Sequence, residues 1–247
     1  MKPRIIAVVN HKGGVGKTTT TLNLGKALSM NKKKVLIVDI DPQANLSQSV
    51  GIEEPPKNIY HALCEGEVLP VHKIATGLNI IPADLDLSGA EVKLITEVNG
   101  YFKLRNALAT IAKDYDFILI DCPPSLGILT ANAMIAANEV LIVVQSQYLA
   151  IKGLDTIIEL IEELRQNLNP ALGLMGLLLT QVNRTVVSRT IVEKVQTEYP
   201  DAAFQTVIRQ NVAVVESSTH RQDIFSYDKT CAAAEDYLNL SKEVING

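Results

Sequence analysis

Unbroken apolar runs recur along the chain and alternate with longer stretches in which apolar residues return every three to four positions. Five runs are strong strand candidates and a sixth is weaker; they cover residues 5–9, 35–38, 117–120, 140–144 and 174–179, with Leu78–Ile81 as the sixth. Runs without alternation are typical of parallel strands that are buried on both faces. The pattern therefore predicts a mostly parallel sheet whose strands lie in the core.

The clearest helical stretch spans residues 150–168. Acidic residues occupy much of one side, and the apolar positions fall on the opposite face; these are Ile151, Leu154, Ile158, Ile161, Leu164 and Leu168. Strands that alternate with helices predict an α/β fold, in which helices cover both faces of a twisted, mostly parallel sheet. No repeat, low-complexity segment or convincing linker interrupts this pattern, so we expect residues 1–247 to form one domain.

The composition is that of a globular protein with an aliphatic core. Of the 247 residues 47% are apolar and 20% are charged, while 4% are aromatic and none is Trp. The net charge of −4 argues against a polyanion-binding surface over the whole molecule, although it does not exclude a local basic patch.

No apolar run reaches the roughly 18 residues of a membrane span. A strand that begins at residue 5 leaves no room for a signal peptide, and three cysteines without metal-ligand spacing are typical of a reducing cytoplasm, where we expect the protein.

A glycine-rich segment, His-Lys-Gly-Gly-Val-Gly-Lys-Thr-Thr, follows the first predicted strand at residues 11–19. It contains the Gly-Lys-Thr half of the phosphate-binding P-loop pattern, but His11 stands where that pattern begins with glycine, and Lys12 adds a cation. The glycines let backbone N–H groups turn toward an anion at the start of a helix. We expect Lys17 to reach the β- and γ-phosphates of a nucleotide and the Thr18 hydroxyl to bind Mg²⁺. The expected fold class is therefore a single-domain P-loop NTPase.

Acidic residues follow two of the predicted strands. Asp39 and Asp41 end the strand at 35–38, and Asp121 ends the strand at 117–120. Ligands collect at the carboxyl ends of strands in open parallel sheets, so all three aspartates should lie beside the P-loop. A magnesium-bound nucleotide needs carboxylates there. We predict that Thr18, Asp41 and Asp121 form the metal site, that Asp41 also orients the attacking water, and that Asp39 has a supporting hydrogen-bond role.

Three motifs together resemble the ParA/Soj group of ATPases, whose P-loop deviates from the ordinary pattern. They are the P-loop at 12–19, Asp-Ile-Asp-Pro-Gln-Ala-Asn at 39–45, and Asp-Cys-Pro-Pro-Ser at 121–125. The resemblance runs from Ile5 to the last predicted helix and includes residues 85–91 and 145–148. The wider superfamily contains MinD and the nitrogenase iron protein, but the Asp-Pro-Gln segment favours the ParA branch.

The resemblance implies an ATPase that uses ATP and Mg²⁺ and closes into a nucleotide-sandwich homodimer. In such a dimer Lys12 reaches the other subunit's phosphates, like an arginine finger supplied in trans, and Gly13 packs at the interface. Asn183 and the segment 208–211 match positions beside the adenine. The implied catalytic residues are Lys12, Lys17 and Asp41. The implied ATP site comprises Lys12, Gly13, Gly14, Val15, Gly16, Lys17, Thr18, Thr19, Asn183, Arg209 and Asn211.

The resemblance also implies non-specific DNA binding by the ATP dimer, stimulation of hydrolysis by a ParB-like adaptor, association with the nucleoid, and a role in plasmid or chromosome segregation. The segment 208–222 departs from this pattern, because Arg209 replaces a proline while Gln210 and Ala213 replace common arginines. Residues 181–247 carry seven Lys/Arg against nine Asp/Glu, so fewer phosphate contacts are available. We expect the remaining DNA contacts to come from Arg184, Arg189, Arg209 and Arg221.

Three proteins with the same ATPase core would act differently. A MinD-like membrane switch needs a basic amphipathic C-terminal helix, and the tail at 235–247 is too acidic for anionic lipid, so we expect no membrane partner. An electron-transfer ATPase needs paired cluster cysteines, and Cys122 lacks a suitable second cysteine. A positioning ATPase for an organelle or protein complex would use the same residues, and the sequence does not separate it from a partition protein. No DNA-reading domain precedes the first strand, so operator-specific repression is not expected.

Overall fold

Seven strands form one sheet in the computed structural model, which describes residues 2–147 and 153–247. The strands are β1 (Arg4–Val9), β2 (Val35–Asp39), β3 (His72–Ala75), β4 (Leu78–Ile81), β5 (Phe117–Asp121), β6 (Glu139–Gln145) and β7 (Gly173–Thr180). Their order is β3-β4-β2-β5-β1-β6-β7, and every neighbouring pair is parallel except β3 with β4. The mostly parallel sheet predicted from the apolar runs is confirmed.

Strand β3 is the one that the apolar pattern does not predict. It pairs antiparallel with β4 at the edge of the sheet, with a register shift between Lys73 and Ala75. Its four residues are half-buried or exposed and include His72 and Lys73. An antiparallel edge strand with one solvated face does not need a continuous apolar run, so this element carries no strong signal in the sequence.

Eleven α-helices lie in the described parts of the chain. They are α1 (Lys17–Met30), α2 (Asn45–Gln48), α3 (Ile59–Cys64), α4 (Ser88–Thr96), α5 (Lys103–Ala109), α6 (Ile128–Ala136), α7 (Leu154–Asn167), α8 (Val186–Glu198), α9 (Val212–Thr219), α10 (Ile224–Asp228) and α11 (Ala232–Asn246). The helix predicted at 150–168 is confirmed as α7 over Leu154–Asn167, while residues 150–152 lie outside the described residues. No helix in the two described ranges is long and apolar enough to cross a membrane.

Two hydrophobic cores lie on opposite faces of the sheet. On β1, Ala7 and Val9 enter one core, and Ile6 and Val8 enter the other. Helices α3 to α8 cover the first face, whereas α1, α2, α10 and α11 cover the second. Because successive side chains of a strand point to opposite faces, a strand with two buried faces must be apolar at every position. The predicted cover of helices on both faces is confirmed.

The topology brings the first predicted loop to both acidic strand ends. Strand β5 lies between β1 and β2, and its Asp121 is in register with Asp39 of β2 and with Val8 of β1. Helix α1 packs closely on the sheet at Gly25, where a Cβ would come within 2.8 Å of Ile37 Cγ2. The P-loop between β1 and α1 is therefore held directly above the carboxyl ends of β2 and β5.

Candidate functional site

The P-loop surrounds the N-terminus of α1 with main-chain groups. Gly14 and Gly16 have φ values of +74° and +97°, which glycine adopts without strain. Helix α1 begins at Lys17, and no described side chain caps its first turn. The first N–H groups of the helix and the positive end of its dipole are thus directed at the loop, which favours the binding of an anion such as phosphate.

Asn10 fixes the start of the loop. Its Nδ2 donates a hydrogen bond of 2.7 Å to the carbonyl of Val143 on β6, and its Oδ1 accepts one of 2.9 Å from the backbone N–H of Lys12. Asn10 is buried, so both ends of its amide are used inside the protein. Only its position directly after β1 marks this residue in the sequence, and the same kind of position marked the three aspartates.

The end of β7 fixes the middle of the loop. The Thr180 hydroxyl donates to the carbonyl of Val15, and Gln181 Nε2 donates to the carbonyl of Gly14, each at 2.7 Å. Gln145 Nε2 in turn donates to Gln181 Oε1 at 2.6 Å. Thr180 and Gln181 were also missed by the sequence analysis. They hold the carbonyls of the loop away from the cleft, which leaves its N–H groups for the anion.

His11 stands where the ordinary pattern has glycine, and its ring contacts the start of α7. A Cβ on Gly153 would lie only 1.7 Å from His11 Cε1, so only glycine fits beneath the ring. Burial lowers the pKa of His11, and the charges of Lys12 and Lys17 lower it further. The imidazole is therefore neutral at neutral pH and does not add to the two lysine charges.

Lys17 is buried at the base of the cleft. Its Nζ donates a hydrogen bond of 2.9 Å to the main-chain carbonyl of Lys12. Burial lowers the pKa of Lys17, and the nearby acidic groups Asp121 and Asp41 oppose that shift. The ammonium is thus held at the floor of the loop, between its backbone and the acidic ends of β2 and β5.

Asp121 is a buried carboxylate whose two oxygens lack a hydrogen bond of ordinary geometry to any described residue. Burial raises the pKa of Asp121, and the charge of Asp39 raises it further, while Thr18 and Lys17 oppose the shift. A buried carboxylate in this state is costly unless a cation or an ordered water joins it. Its position close to Thr18 fits a hard divalent cation such as Mg²⁺, which takes few protein ligands and keeps phosphate oxygens and waters. No group of three or more His, Cys, Asp or Glu side chains that could hold a metal ion occurs in the described ranges.

Asp39 is in register with Asp121 on the neighbouring strand, but both oxygens of the Asp39 carboxylate accept hydrogen bonds. Its Oδ2 accepts from the N–H and the hydroxyl of Ser47 at 2.9 and 2.7 Å, and its Oδ1 accepts from the N–H of Asp41 at 3.1 Å. Ser47 Oγ also accepts from the N–H of Ala83 at 2.9 Å. Burial raises the pKa of Asp39 to about 6 despite these bonds. Asp39 thus makes the supporting hydrogen bonds that its place at the strand end predicts.

The turn after β2 presents Asp41 to the cleft. Asp41 Oδ1 accepts a hydrogen bond of 2.9 Å from the N–H of Gln43, which is the geometry of an Asx turn. Ala44 follows with φ +52°, a left-handed conformation that costs energy for a residue with a Cβ. Together with Asp39 these constraints leave Asp41 little freedom, while its second oxygen is not used by the turn.

One cleft of about 740 Å³ joins most of the predicted site. The predicted residues that line it are Gly13, Gly14, Gly16, Lys17, Thr18, Thr19, Asp41, Arg209, Asn211 and Arg221. Six predicted residues do not line it directly, namely Lys12, Val15, Asp121, Asn183, Arg184 and Arg189. Val15 and Asp121 are buried beneath it. Lys12 is half-buried and Asn183 is exposed.

Asn183 and Asn211 are held beside the far end of the cleft. Asn183 Nδ2 donates to Gln210 Oε1 at 3.1 Å, and a backbone bridge joins Val182 to Arg209. Asn211 Oδ1 accepts from the N–H of Ala213 and so caps α9. The two segments predicted to lie beside a base are therefore adjacent to each other.

The four arginines predicted to contact DNA are not equivalent. Arg209 is tied to α11, where its guanidinium pairs with Asp236 at 2.6 Å and Glu235 at 2.8 Å, and these carboxylates raise its pKa. Arg221 pairs with Glu53. The other two, Arg184 and Arg189, are exposed and form no ion pair with a residue that the structure describes.

Comparison with known proteins agrees with this geometry. The profile of a family described as an AAA domain matches residues 3–174. The crystal structure of a cobyrinic acid a,c-diamide synthase from Mycobacterium smegmatis, with bound ADP and magnesium, has a TM-score of 0.87 and 32% identity. That match covers 99% of this chain and 94% of the other.

Two relatives are similar over nearly their whole length. The sporulation initiation inhibitor protein Soj of Bacillus subtilis is 41% identical over 247 residues, with 98% of each chain covered. The chromosome partitioning protein ParA of Caulobacter vibrioides is 40% identical over 253 residues, with 98% of this chain and 94% of that protein covered. With its P-loop, its acidic strand ends and these relatives, the chain belongs to the ParA/Soj family of partition ATPases.

Proposed function

We propose that this protein segregates DNA by an ATP-driven cycle of dimerisation and release. ATP closes two copies into a sandwich dimer, the dimer binds DNA without sequence preference at the nucleoid, and a ParB-like adaptor stimulates hydrolysis. The observation that carries this proposal is a P-loop with an additional lysine that lies directly above the acidic ends of two neighbouring strands and opens into a cleft. The kinship to Soj and ParA supports the cellular role.

The chain's own residues divide the chemistry of hydrolysis between them. The N–H groups of the P-loop and the Lys17 ammonium would bind the phosphates, and Thr18, Asp41 and Asp121 would hold Mg²⁺. When bound, Mg²⁺ neutralises phosphate charge and fixes the phosphate oxygens. Asp41, held by the turn and by Asp39, orients the attacking water from the side of the cleft.

Two glycine-loop features support the sandwich dimer. A Cβ at Gly13 would meet nothing within 4 Å, and Gly13 is absent from the residues with positive φ. Neither its backbone nor its surroundings within the chain require glycine, so a close approach by a second subunit is the proposed reason for glycine at this position. Lys12 is its neighbour in the loop, and the charges of Lys12 and Lys17 lie close enough together to favour an anionic ligand.

The DNA-binding surface is assigned to Arg184 and Arg189, with a smaller contribution from Arg221. These side chains are exposed, and the first two form no ion pair with a described residue. Arg209 contributes less, because Asp236 and Glu235 already balance its charge. Few phosphate contacts per subunit mean that DNA affinity depends on both subunits binding together.

A second candidate function is the positioning of a cargo other than DNA by the same ATP cycle. The observation that favours it is the shortage of unpaired cations at 181–247, where seven Lys/Arg face nine Asp/Glu. In that case the dimer would form with ATP, but it would bind the surface of another cellular component instead of DNA.

Size-exclusion chromatography with light scattering, run with ADP and with ATP, each with and without non-specific duplex DNA, tests the proposal. We expect a monomer with ADP, a dimer with ATP, and co-elution with DNA only with ATP. A dimer that does not co-elute with DNA at low salt would favour the second candidate function. A monomer in every condition would refute the sandwich mechanism itself.

A further inference from the structure

We propose that the outer face of α4 is the docking surface for the adaptor, and that it takes a cationic, amphipathic helical segment. This inference rests on the proposed function, because it names where the adaptor binds and by what chemistry. It is carried by an exposed apolar stripe that runs into an acidic groove beside the nucleotide cleft.

The stripe, called here the α4 face, consists of Leu85, Val92, Ile95 and Val98. Their side chains are 70%, 72%, 64% and 99% exposed. The opposite side of the same helix is buried against α3 and α6 through Ala90 and Leu94. A helix that is apolar on both sides, with one side open, is typical of a surface that binds another protein.

An acidic groove continues the α4 face at Leu85. It has a volume of about 550 Å³, and its charged lining residues are Glu53, Glu54, Asp84 and Asp86. Two of these carboxylates are engaged within the chain, since Arg221 pairs with Glu53 and Asn58 donates to Asp84. Glu54 and Asp86 are exposed at its rim. The groove therefore complements positive charge and disfavours an anionic membrane surface.

The docking surface is joined to the catalytic turn. The N–H of Ala83, two residues before Leu85, donates a hydrogen bond to Ser47 Oγ. The Ser47 hydroxyl donates in turn to Asp39, and Asp39 also accepts a hydrogen bond from the N–H of Asp41. Glu53 lines both the groove and the nucleotide cleft. A segment that binds here can therefore shift the turn that carries Asp41 through these hydrogen bonds.

The inner side of α4 also contacts the loop after Asp121. A Cβ at Gly127, the residue before α6, would lie 3.6 Å from Glu91 Oε1 on α4. The loop from 122 to 127 connects that contact to Asp121. Helix α4 therefore lies beside the loop that follows Asp121, and Ala83, in the segment that precedes α4, is hydrogen-bonded to the residue that supports the turn of Asp41.

Fluorescence anisotropy with a labelled synthetic peptide tests the proposal. The probe is a helical peptide of about 18 residues with a leucine stripe at i, i+3, i+4 and i+7 and arginines at one end. Its controls are the same peptide with glutamate for arginine and a scrambled sequence. We expect the ATP-bound protein to bind the cationic probe and to bind both controls at least about tenfold more weakly.

Neutral substitutions then locate the site without adding charge. Val92→Ser/Ile95→Ser should weaken the probe about tenfold, and Glu54→Gln/Asp86→Asn should weaken it about threefold and reduce its salt dependence. The matched control is Val68→Ser, which removes a side chain that is 82% exposed in the segment between α3 and β3. Circular dichroism melting verifies that each variant is folded.

Several outcomes would overturn the proposal. The first is a wild-type protein that does not bind the probe, and the second is a Val92→Ser/Ile95→Ser variant that binds it with normal affinity. The third is a Val68→Ser control whose affinity for the probe falls as much as that of the Val92→Ser/Ile95→Ser variant. Sedimentation velocity and anionic vesicles test the other occupants. Self-association or vesicle binding that Val92→Ser/Ile95→Ser abolishes would assign the face to a second copy or to a membrane. Dimerisation with ATP is measured on the same samples, so failure of the proposed function is seen separately.

Discussion

The ammonium group of Lys17 donates a hydrogen bond of 2.9 Å to the main-chain carbonyl of Lys12. The lysine that an ordinary P-loop uses for phosphate is thus bound by the backbone of the residue that carries the additional lysine. Because Lys17 is buried and Lys12 is only half-buried, the two charges are directed to different depths of the same loop. This arrangement separates the roles proposed for the two lysines. Lys17 binds the phosphates in its own subunit, and Lys12 is proposed to reach the nucleotide of the other subunit.

The first prediction concerns Lys12. Replacing it by alanine should leave ATP affinity of the monomer within about threefold, because the main-chain carbonyl that binds Lys17 is retained. Adaptor-stimulated turnover should fall about 10²- to 10³-fold, the effect expected when a cation that stabilises transition-state charge is removed. A phosphate-release assay and nucleotide titration measure the two quantities. Normal stimulated turnover in Lys12→Ala would remove Lys12 from catalysis.

Asp41→Asn should separate nucleotide binding from hydrolysis. The amide oxygen of asparagine can still accept the hydrogen bond from Gln43, so the turn should persist. Turnover should fall about 10²- to 10⁴-fold because the group that orients the water no longer carries a charge. Light scattering should show a long-lived dimer with ATP. If the variant remains a monomer with ATP, the role assigned to Asp41 is wrong.

Two glycine substitutions should have opposite effects. Gly13→Val should fold and bind ATP like the wild type, since a side chain there meets nothing within the chain, but it should fail to dimerise. Gly25→Ala should dimerise if folded but lose about 1–3 kcal/mol of unfolding free energy, because its Cβ would overlap Ile37. Urea denaturation and light scattering measure both. A Gly13→Val protein that dimerises normally with ATP would contradict the sandwich geometry.

Ser47 is predicted to support the catalytic turn through its hydroxyl. Ser47→Ala removes one donor to Asp39 and leaves the N–H of Ala83 without its acceptor. We expect a loss of about 1–3 kcal/mol in unfolding free energy, the cost of unsatisfied buried groups, together with a lower kcat. Ser47→Thr keeps the hydroxyl and is the matched control. Equal stability of all three proteins in urea would show that the hydroxyl does not matter.

The DNA prediction depends on which arginines are paired. Arg184→Ala/Arg189→Ala should weaken ATP-dependent DNA binding and reduce the slope of log K against log salt by about two, because each phosphate that an arginine neutralises adds roughly 0.9 to that slope. Arg221→Ala should have a smaller effect, because Glu53 already balances its charge. Anisotropy with a labelled duplex over a salt series gives these slopes. An unchanged slope in the double variant would mean that DNA binds elsewhere.

Much of the fold could be predicted from the sequence because it depends on local patterns. Strands buried on both faces must be apolar at every position, so the runs at 5–9, 35–38 and 117–120 identified the centre of the sheet. Strand β3 was missed because a half-exposed edge strand does not require such a run. The P-loop was recognisable for a related reason, since its glycines and its lysine are required at fixed spacing by the backbone conformation that binds phosphate.

Only the tertiary structure decided what identical residue types do in different surroundings. Asp39 and Asp121 are both aspartates at strand ends in the same register, yet Asp39 accepts three hydrogen bonds, whereas Asp121 has none of ordinary geometry among the described residues. The difference arises because α2 presents Ser47 to one carboxylate, while the other faces the P-loop. In the same way Asp236, 27 residues away from Arg209, neutralises an arginine that the sequence alone offered to DNA. Charge and hydrogen-bond satisfaction depend on neighbours brought together by folding, and no local pattern encodes them.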